Sequence, residues 1–164
     1  MFIGVLVLST VFVLAFKVVH KIEVDKKTAE NIKRLPALSF TRLDGGVYSL
    51  SNEEANANIV LIYFSPDCEH CQYMTREIVR NIRRIPVTKI AMVTFAGVAA
   101  TKQFVQNYGI DNIKNIVVVR DTRSQFSQFF GVSTTPTFYI YKNDTISKII
   151  KGETRLDNLI NAIK

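Results

Sequence analysis

The stretch Leu61-Ile62-Tyr63-Phe64-Ser65-Pro66-Asp67-Cys68-Glu69-His70-Cys71 decides how this chain is read: an apolar run stops there, and two cysteines follow with two residues between them. These are the only cysteines in the 164 residues. Residues three apart share a face once a helix has begun, so a helix starting near Cys68 brings both sulfurs within disulfide reach. The first turn of such a helix carries unpaired N–H groups and the positive end of the helix dipole, and both favour a thiolate. Cys68 is therefore the candidate nucleophile, and Cys71, one turn deeper, the candidate resolving thiol.

A C-x-x-C also has other readings. Zinc sites usually take four ligands, and besides the two cysteines the sequence offers only His20 and His70 as further Cys or His ligands, so no metal is expected. A haem attachment site needs His directly after the second Cys, where Gln72 stands. An inert disulfide staple would close so short a loop that it removes little chain entropy. Redox chemistry is the strongest of these readings.

With 48% hydrophobic residues the chain has room for one ordinary domain plus an appendage, and its core needs no staples. The formal net charge of +7 permits contact with nucleic acid or anionic membranes. No nucleic-acid motif, internal repeat, low-complexity tract or Gly-rich phosphate loop accompanies it, so no nucleic-acid partner is expected.

Residues Phe2 to Phe16 are apolar apart from Gly4, Ser9 and Thr10, and Val18 and Val19 extend the run past Lys17. Residues 1–19 are expected to be a membrane anchor or a signal peptide, at the short end of what spans a bilayer. The end of the run lacks a small-x-small cleavage site, which favours an uncleaved transmembrane helix. The lysines at 17, 21, 26 and 27 follow the run, and by the positive-inside rule they would hold the rest of the chain in the cytoplasm. The redox motif argues for an oxidising, extracytoplasmic compartment instead. Residues 20–35 are charged and read as a juxtamembrane helix or stiff tether, with His20 a solvated residue of it.

The domain is expected over 36–164. Ala37-Leu38-Ser39-Phe40 and Val47-Tyr48-Ser49-Leu50 alternate around the turn Asp44-Gly45-Gly46, which predicts a β-hairpin. Asn58 to Phe64 reads as a strand buried on both faces. In the helix after it, Cys71, Met74, Ile78, Ile82 and Ile85 share one side, and Arg76, Arg80, Arg83 and Arg84 the other, a solvated face or a docking surface for acidic partners. A strand is expected over Val87 to Phe95, a helix from Val98 to Tyr108 capped by Gly109, a strand at Ile116 to Val119 and a short helix from Ser124 to Phe130. A proline loop at Gly131–Pro136 leads into a strand, Asn143-Asp144 turns the chain into Thr145–Ile150, and a last helix is expected at Thr154, with Asp157 completing a capping box.

This order of elements, with Cys68-Glu69-His70-Cys71 after a buried strand and Thr135-Pro136 before a later one, resembles the thioredoxin superfamily. Within it the chain is more similar to the TlpA/ResA-like branch of membrane-tethered extracytoplasmic thiol-disulfide proteins. The leading hairpin Pro36–Leu50 and the helix and strand between Val98 and Val119 match that branch's N-terminal hairpin and central insertion. The resemblance implies an α/β thioredoxin-like fold, a central mixed sheet with helices on both faces, after one N-terminal transmembrane helix. It implies a cis bond at Pro136, packed against the cysteines, and substrate docking on the backbone of Thr135. Glu69 matches the ResA-like motif and His70 the motif of the oxidant DsbA, which makes both of them thiolate-tuning residues of opposite sign.

Two departures stand out. Asp67 occupies the position where the family usually has Trp, and Ile62 the position of the buried acid that moves protons in thioredoxins. The expected function is a membrane-anchored thiol-disulfide oxidoreductase in the periplasm or cell envelope, more a reductase than an oxidase. It would act on protein thiols and disulfides, take electrons from a redox partner protein, and need no cofactor beyond the Cys68–Cys71 disulfide. One alternative is a peroxiredoxin-like peroxidase, whose pattern Ser65 meets three residues before Cys68 and Leu61 breaks seven before it. Another is a non-catalytic module that holds copper or a partner protein through Cys68, Cys71 and His70.

Overall fold

The computed structural model describes residues 2–52, 58–86, 89–131 and 134–164, without the side chains of residues 2–11, 24, 25 and 52. In chain order the elements are α1 (Phe2–Asn31), β1 (Ser39–Arg42), β2 (Val47–Ser49), β3 (Asn58–Tyr63), α2 (Glu69–Arg80) and β4 (Lys89–Thr94). They continue with α3 (Val98–Tyr108), β5 (Ile116–Arg120), α4 (Gln125–Phe130), β6 (Thr137–Lys142), β7 (Thr145–Lys151) and α5 (Leu156–Ile163). Val87 and Thr88 of the expected fourth strand, and Val132 and Ser133 of the proline loop, lie outside the described residues.

The strands form one sheet in the order β2-β1-β5-β4-β3-β6-β7. β3, β4 and β5 are parallel to one another, and the remaining pairings are antiparallel. Alternation along β3 sorts its side chains onto two faces. Val60 and Ile62, with Phe64 beyond the strand, pack against Cys71, Met74 and Ile78 of α2 and against Leu159, Ile160 and Ile163 of α5. Ile59 and Leu61 face the other way, into a cluster with Phe40, Phe126, Phe130, Tyr139 and Tyr141. The sheet is therefore covered on both sides, as the doubly apolar run in the sequence requires.

Turn chemistry closes the hairpins. Gly45 takes φ +92 between β1 and β2, and the Gly46 N–H donates to the Asp44 carboxylate at 2.9 Å. Asn143 and Asp144 both adopt positive φ between β6 and β7, the two-residue turn whose twist matches antiparallel strands.

Two helix starts differ from expectation. α5 begins at Leu156 after Arg155, with no side-chain cap, and the expected Thr154–Asp157 box does not form. Asp157 is drawn instead to Arg84, 2.7 Å from its Nη2, so the carboxylate faces the short turn Ile82–Arg84 after α2 rather than its own first turn. Ser124 precedes α4 without capping it. The cap comes from Asp121, whose carboxylate accepts the N–H groups of Gln125 at 3.0 Å and Phe126 at 2.8 Å.

The charged segment expected to be a tether continues α1 without a break as far as Asn31. Its end is fastened to the domain. Ile32 is buried in the second cluster, its carbonyl accepts the Tyr141 hydroxyl at 3.0 Å, and Ile146 N–H donates to Lys33 O at 2.9 Å. Further up the helix Phe12, Val13, Leu14, Phe16, Val18 and Val19 are exposed, as is His20. Positions 1–11 of the expected anchor lie outside the residues described with side chains. Among the described residues no helix is long and apolar enough to cross a membrane.

Candidate active site

The register of the sheet brings the two halves of the site together. Tyr63, the last residue of β3, pairs with Thr137, the first of β6, so whatever follows β3 meets whatever precedes β6. Cys68 follows the one and Thr135-Pro136 precedes the other. The Thr135–Pro136 peptide is cis, as the resemblance implied, and Pro136 is buried. The Cys68 thiol lies 3.5 Å from the Thr135 carbonyl, to which it donates across 67 residues of sequence.

Cys68 is the N-cap of α2 in extended conformation, and its sulfur accepts the Cys71 N–H at 3.3 Å. A side-chain acceptor at this position satisfies one of the free donors of the first turn, the role usually taken by Ser or Asp. Two bonds steady the approach: Cys68 N–H to Ser65 O at 3.2 Å, and Gln72 Nε2 to Pro66 O at 2.8 Å. One turn in, Thr75 is buried and donates its hydroxyl to Cys71 O at 2.7 Å.

The two thiols are electrostatically unequal. Partial burial opposes ionisation of Cys68, but hydrogen bonds from the Cys71 thiol and N–H, the Thr135 side chain and the His70 N–H outweigh it. The Cys68 pKa therefore falls below that of an ordinary thiol. Cys71 is 1% exposed, and burial first, then its bond to Cys68, push its thiol up to about 12. The described groups acting on Cys71 are Cys68, Ser65 and Thr135. Ile62, at the position of the family's buried acid, is packed in the apolar cluster with Cys71. Both cysteines are free thiols.

Of the residues singled out in the sequence, Cys68, Cys71, Thr135 and Pro136 converge, and Glu69 is exposed in the first turn of α2. His70 is exposed too, but it is held: its Nδ1 lies 2.7 Å from Oε2 of Glu153, in the loop between β7 and α5. Glu153 was not foreseen. No local pattern marks an ion pair whose members are 83 residues apart. Next to Asp67, the residue before Cys68, a cleft of about 310 Å³ opens between Asp67, Gln72 and α3, lined there by Gln103, Asn107 and Tyr108. It borders the position where the resemblance expects Trp and this chain has the smaller Asp67. Among the described residues no group of three or more His, Cys, Asp or Glu side chains is placed to hold a metal ion.

No protein-family model matches the chain, and no curated protein sequence is significantly similar to it. Solved structures are similar in fold. A secreted Mycobacterium tuberculosis disulfide oxidoreductase, homologous to Escherichia coli DsbE, has a TM-score of 0.67 at 19% identity, over 82% of this chain and 96% of that one. A peroxiredoxin-like protein from Aquifex aeolicus gives 0.64 at 18%, over 80% and 84%. StoA from Bacillus subtilis gives 0.57 at 16%, over 79% of this chain and all of that one. At such identities the likeness establishes the fold, which is thioredoxin-like.

Proposed function

We propose that the chain is a thiol-disulfide oxidoreductase that exchanges the Cys68–Cys71 disulfide with protein substrates, working chiefly as a reductase. The observation that carries this is the inequality of the two thiols across one helical turn: Cys68 half-exposed, capping α2 and lowered in pKa, and Cys71 buried and raised to about 12. A nucleophile that ionises and a partner that stays protonated until needed are what two-step exchange demands. The fold shared with the secreted disulfide oxidoreductase above supports the same reading.

The Cys68 thiolate attacks one sulfur of a substrate disulfide, forms a mixed disulfide and expels the other substrate sulfur as a thiolate. Cys71 gives up its proton and attacks the Cys68 sulfur, expelling the second substrate thiolate. The substrate gains two electrons and the enzyme is left with the Cys68–Cys71 disulfide, which a dithiol partner protein must reduce. The Thr135 backbone, beside Cys68, serves as the docking edge for an extended substrate segment. Glu69 and His70 tune the thiolate.

The exposed apolar side chains of α1 from Phe12 to Val19 support anchoring in a membrane through residues 1–19; residues 36–164 would then lie on the extracytoplasmic side, where protein disulfides persist. Replacing Cys71 with Ser should trap substrates on Cys68 as mixed disulfides, visible on non-reducing gels. If wild type turns substrate over while the variant gathers no adducts, the roles given to the two cysteines are wrong. Retention of the full chain in alkali-washed membranes tests the anchor separately, and recovery in the soluble fraction would refute it.

A further inference from the structure

The His70–Glu153 contact has no part in the exchange steps above, yet it spans the face on which they would occur. Glu153 does not reach His70 from a loose loop. The N–H of Gly152, a residue at φ +80, donates to the carbonyl of Pro136 at 2.7 Å, and Pro136 is joined to Thr135, whose carbonyl takes the Cys68 thiol. Glu153 thus departs from backbone pinned to the proline loop, and its carboxylate closes a ring of contacts back to the first turn of α2. Stability does not account for the pair. The two side chains are 69% and 42% exposed, and ion pairs that open to water add little to folding.

What the pair does alter is the charge beside Cys68. His70 is two residues from the nucleophile, and its own N–H is one of the groups that favour the thiolate. An imidazolium there would add to the helix dipole; a carboxylate held against it subtracts. The other charged side chains close in sequence are Asp67 and Glu69 on the α2 side, and Lys151 and Arg155 flanking Glu153. Stabilising the Cys68 thiolate stabilises the dithiol form and makes the pair more oxidising.

We propose that Glu153 is a positioning residue that restrains the oxidising power of the Cys68–Cys71 pair by holding His70 through Nδ1 and offsetting its charge next to Cys68. The proposal rests on the exchange reading and deepens it by naming what sets the direction of exchange. His70 alone would draw the pair towards disulfide donation, and Glu153 returns it towards reduction.

The arithmetic of the test is simple. In either charge state of the imidazole, Glu153→Gln removes one negative charge from the surroundings of the thiolate. The loss of a unit charge at a water-exposed site beside a thiolate is worth a change of about threefold to tenfold in the thiol's ionisation constant. The full chain, in detergent, would be equilibrated with glutathione buffers across about pH 6 to 9, and its dithiol and disulfide forms counted by alkylation and mass. At the alkaline end, where the dithiol form holds Cys68 as a thiolate, Glu153→Gln should shift the equilibrium towards the dithiol by about threefold to tenfold, and at the acid end, where it holds the thiol, by less. That shift should shrink at about 1 M salt, where screening reaches about 3 Å, and should be smaller in a His70→Gln background, where no imidazole holds the carboxylate against α2.

No shift, a shift towards the disulfide, one undiminished by high salt or one as large without His70 would each overturn the proposal. Failure of the exchange reading would look different, because the wild-type chain itself would then not equilibrate with glutathione.

Discussion

Titrating the two thiols separately is the sharpest check on the site, with pH as the perturbation. Cys71 is raised to about 12 while Cys68 lies below the ordinary thiol value. At neutral pH a thiol of pKa about 12 is ionised to about one part in 10⁵, whereas a thiol below about 9 exceeds one part in 10². The separation is therefore at least about a thousandfold in thiolate, and alkylation rate follows thiolate. Reduced protein would be treated with iodoacetamide across a pH series, quenched, and the label at Cys68 and Cys71 quantified by mass spectrometry. Cys68 should be modified with a midpoint below the free-thiol value, and Cys71 should stay unlabelled until the solution is strongly alkaline. Thiolate absorbance in the ultraviolet should show one group titrating in the accessible range. Comparable labelling of both cysteines near neutrality, or a Cys68 midpoint at or above that of a free thiol, would refute the assignment of nucleophile and resolving thiol.

The same shift has a sign for stability. A raised pKa means that folding favours the protonated Cys71, so its contribution is complete below about pH 9 and is lost as pH rises towards about 12.

Three substitutions test the framework around the site. Asp121→Ala removes the acceptor for the first N–H groups of α4 and should cost about 1–3 kcal/mol in urea unfolding. A cost under about 0.3 kcal/mol would show that the helix is capped otherwise. Tyr141→Phe strips the buried Ile32 carbonyl of its donor and should cost about 1–3 kcal/mol. It should also speed proteolysis near the end of α1, and an unchanged cleavage pattern would count against that fastening. Gly131→Ala forces a side chain into φ +76, with a new methyl 3.6 Å from Thr28, and should lower the thermal midpoint by several degrees, about 1 kcal/mol or more. An unaltered midpoint would mean that the backbone there relaxes freely.

Much of this molecule is local and therefore legible in the order of its residues. Ile59–Phe64 is apolar on both faces and could only be a central strand; Gly109 ends α3 in the left-handed conformation that its place after Tyr108 predicted. Cys68 and Cys71 are one turn apart wherever a helix begins between them, so their proximity follows from spacing alone. Local patterns failed where a distant group outbid a near one. Thr154 and Asp157 have the spacing of a capping box, but Arg84, 73 residues away, takes the carboxylate. The short helix expected from Ser124 starts one residue later, and its cap is Asp121, whose carboxylate reaches the first N–H groups from the end of β5. What tertiary structure alone decided is the company kept by Cys68: the Thr135 carbonyl, set there by the register of β3 on β6, and the His70–Glu153 pair, set there by the loop from β7 to α5. Spacing along a chain specifies contacts within a few residues, because backbone geometry is regular over that range. Contacts across 67 or 83 residues depend on how whole strands pair, and no short stretch of sequence contains that information.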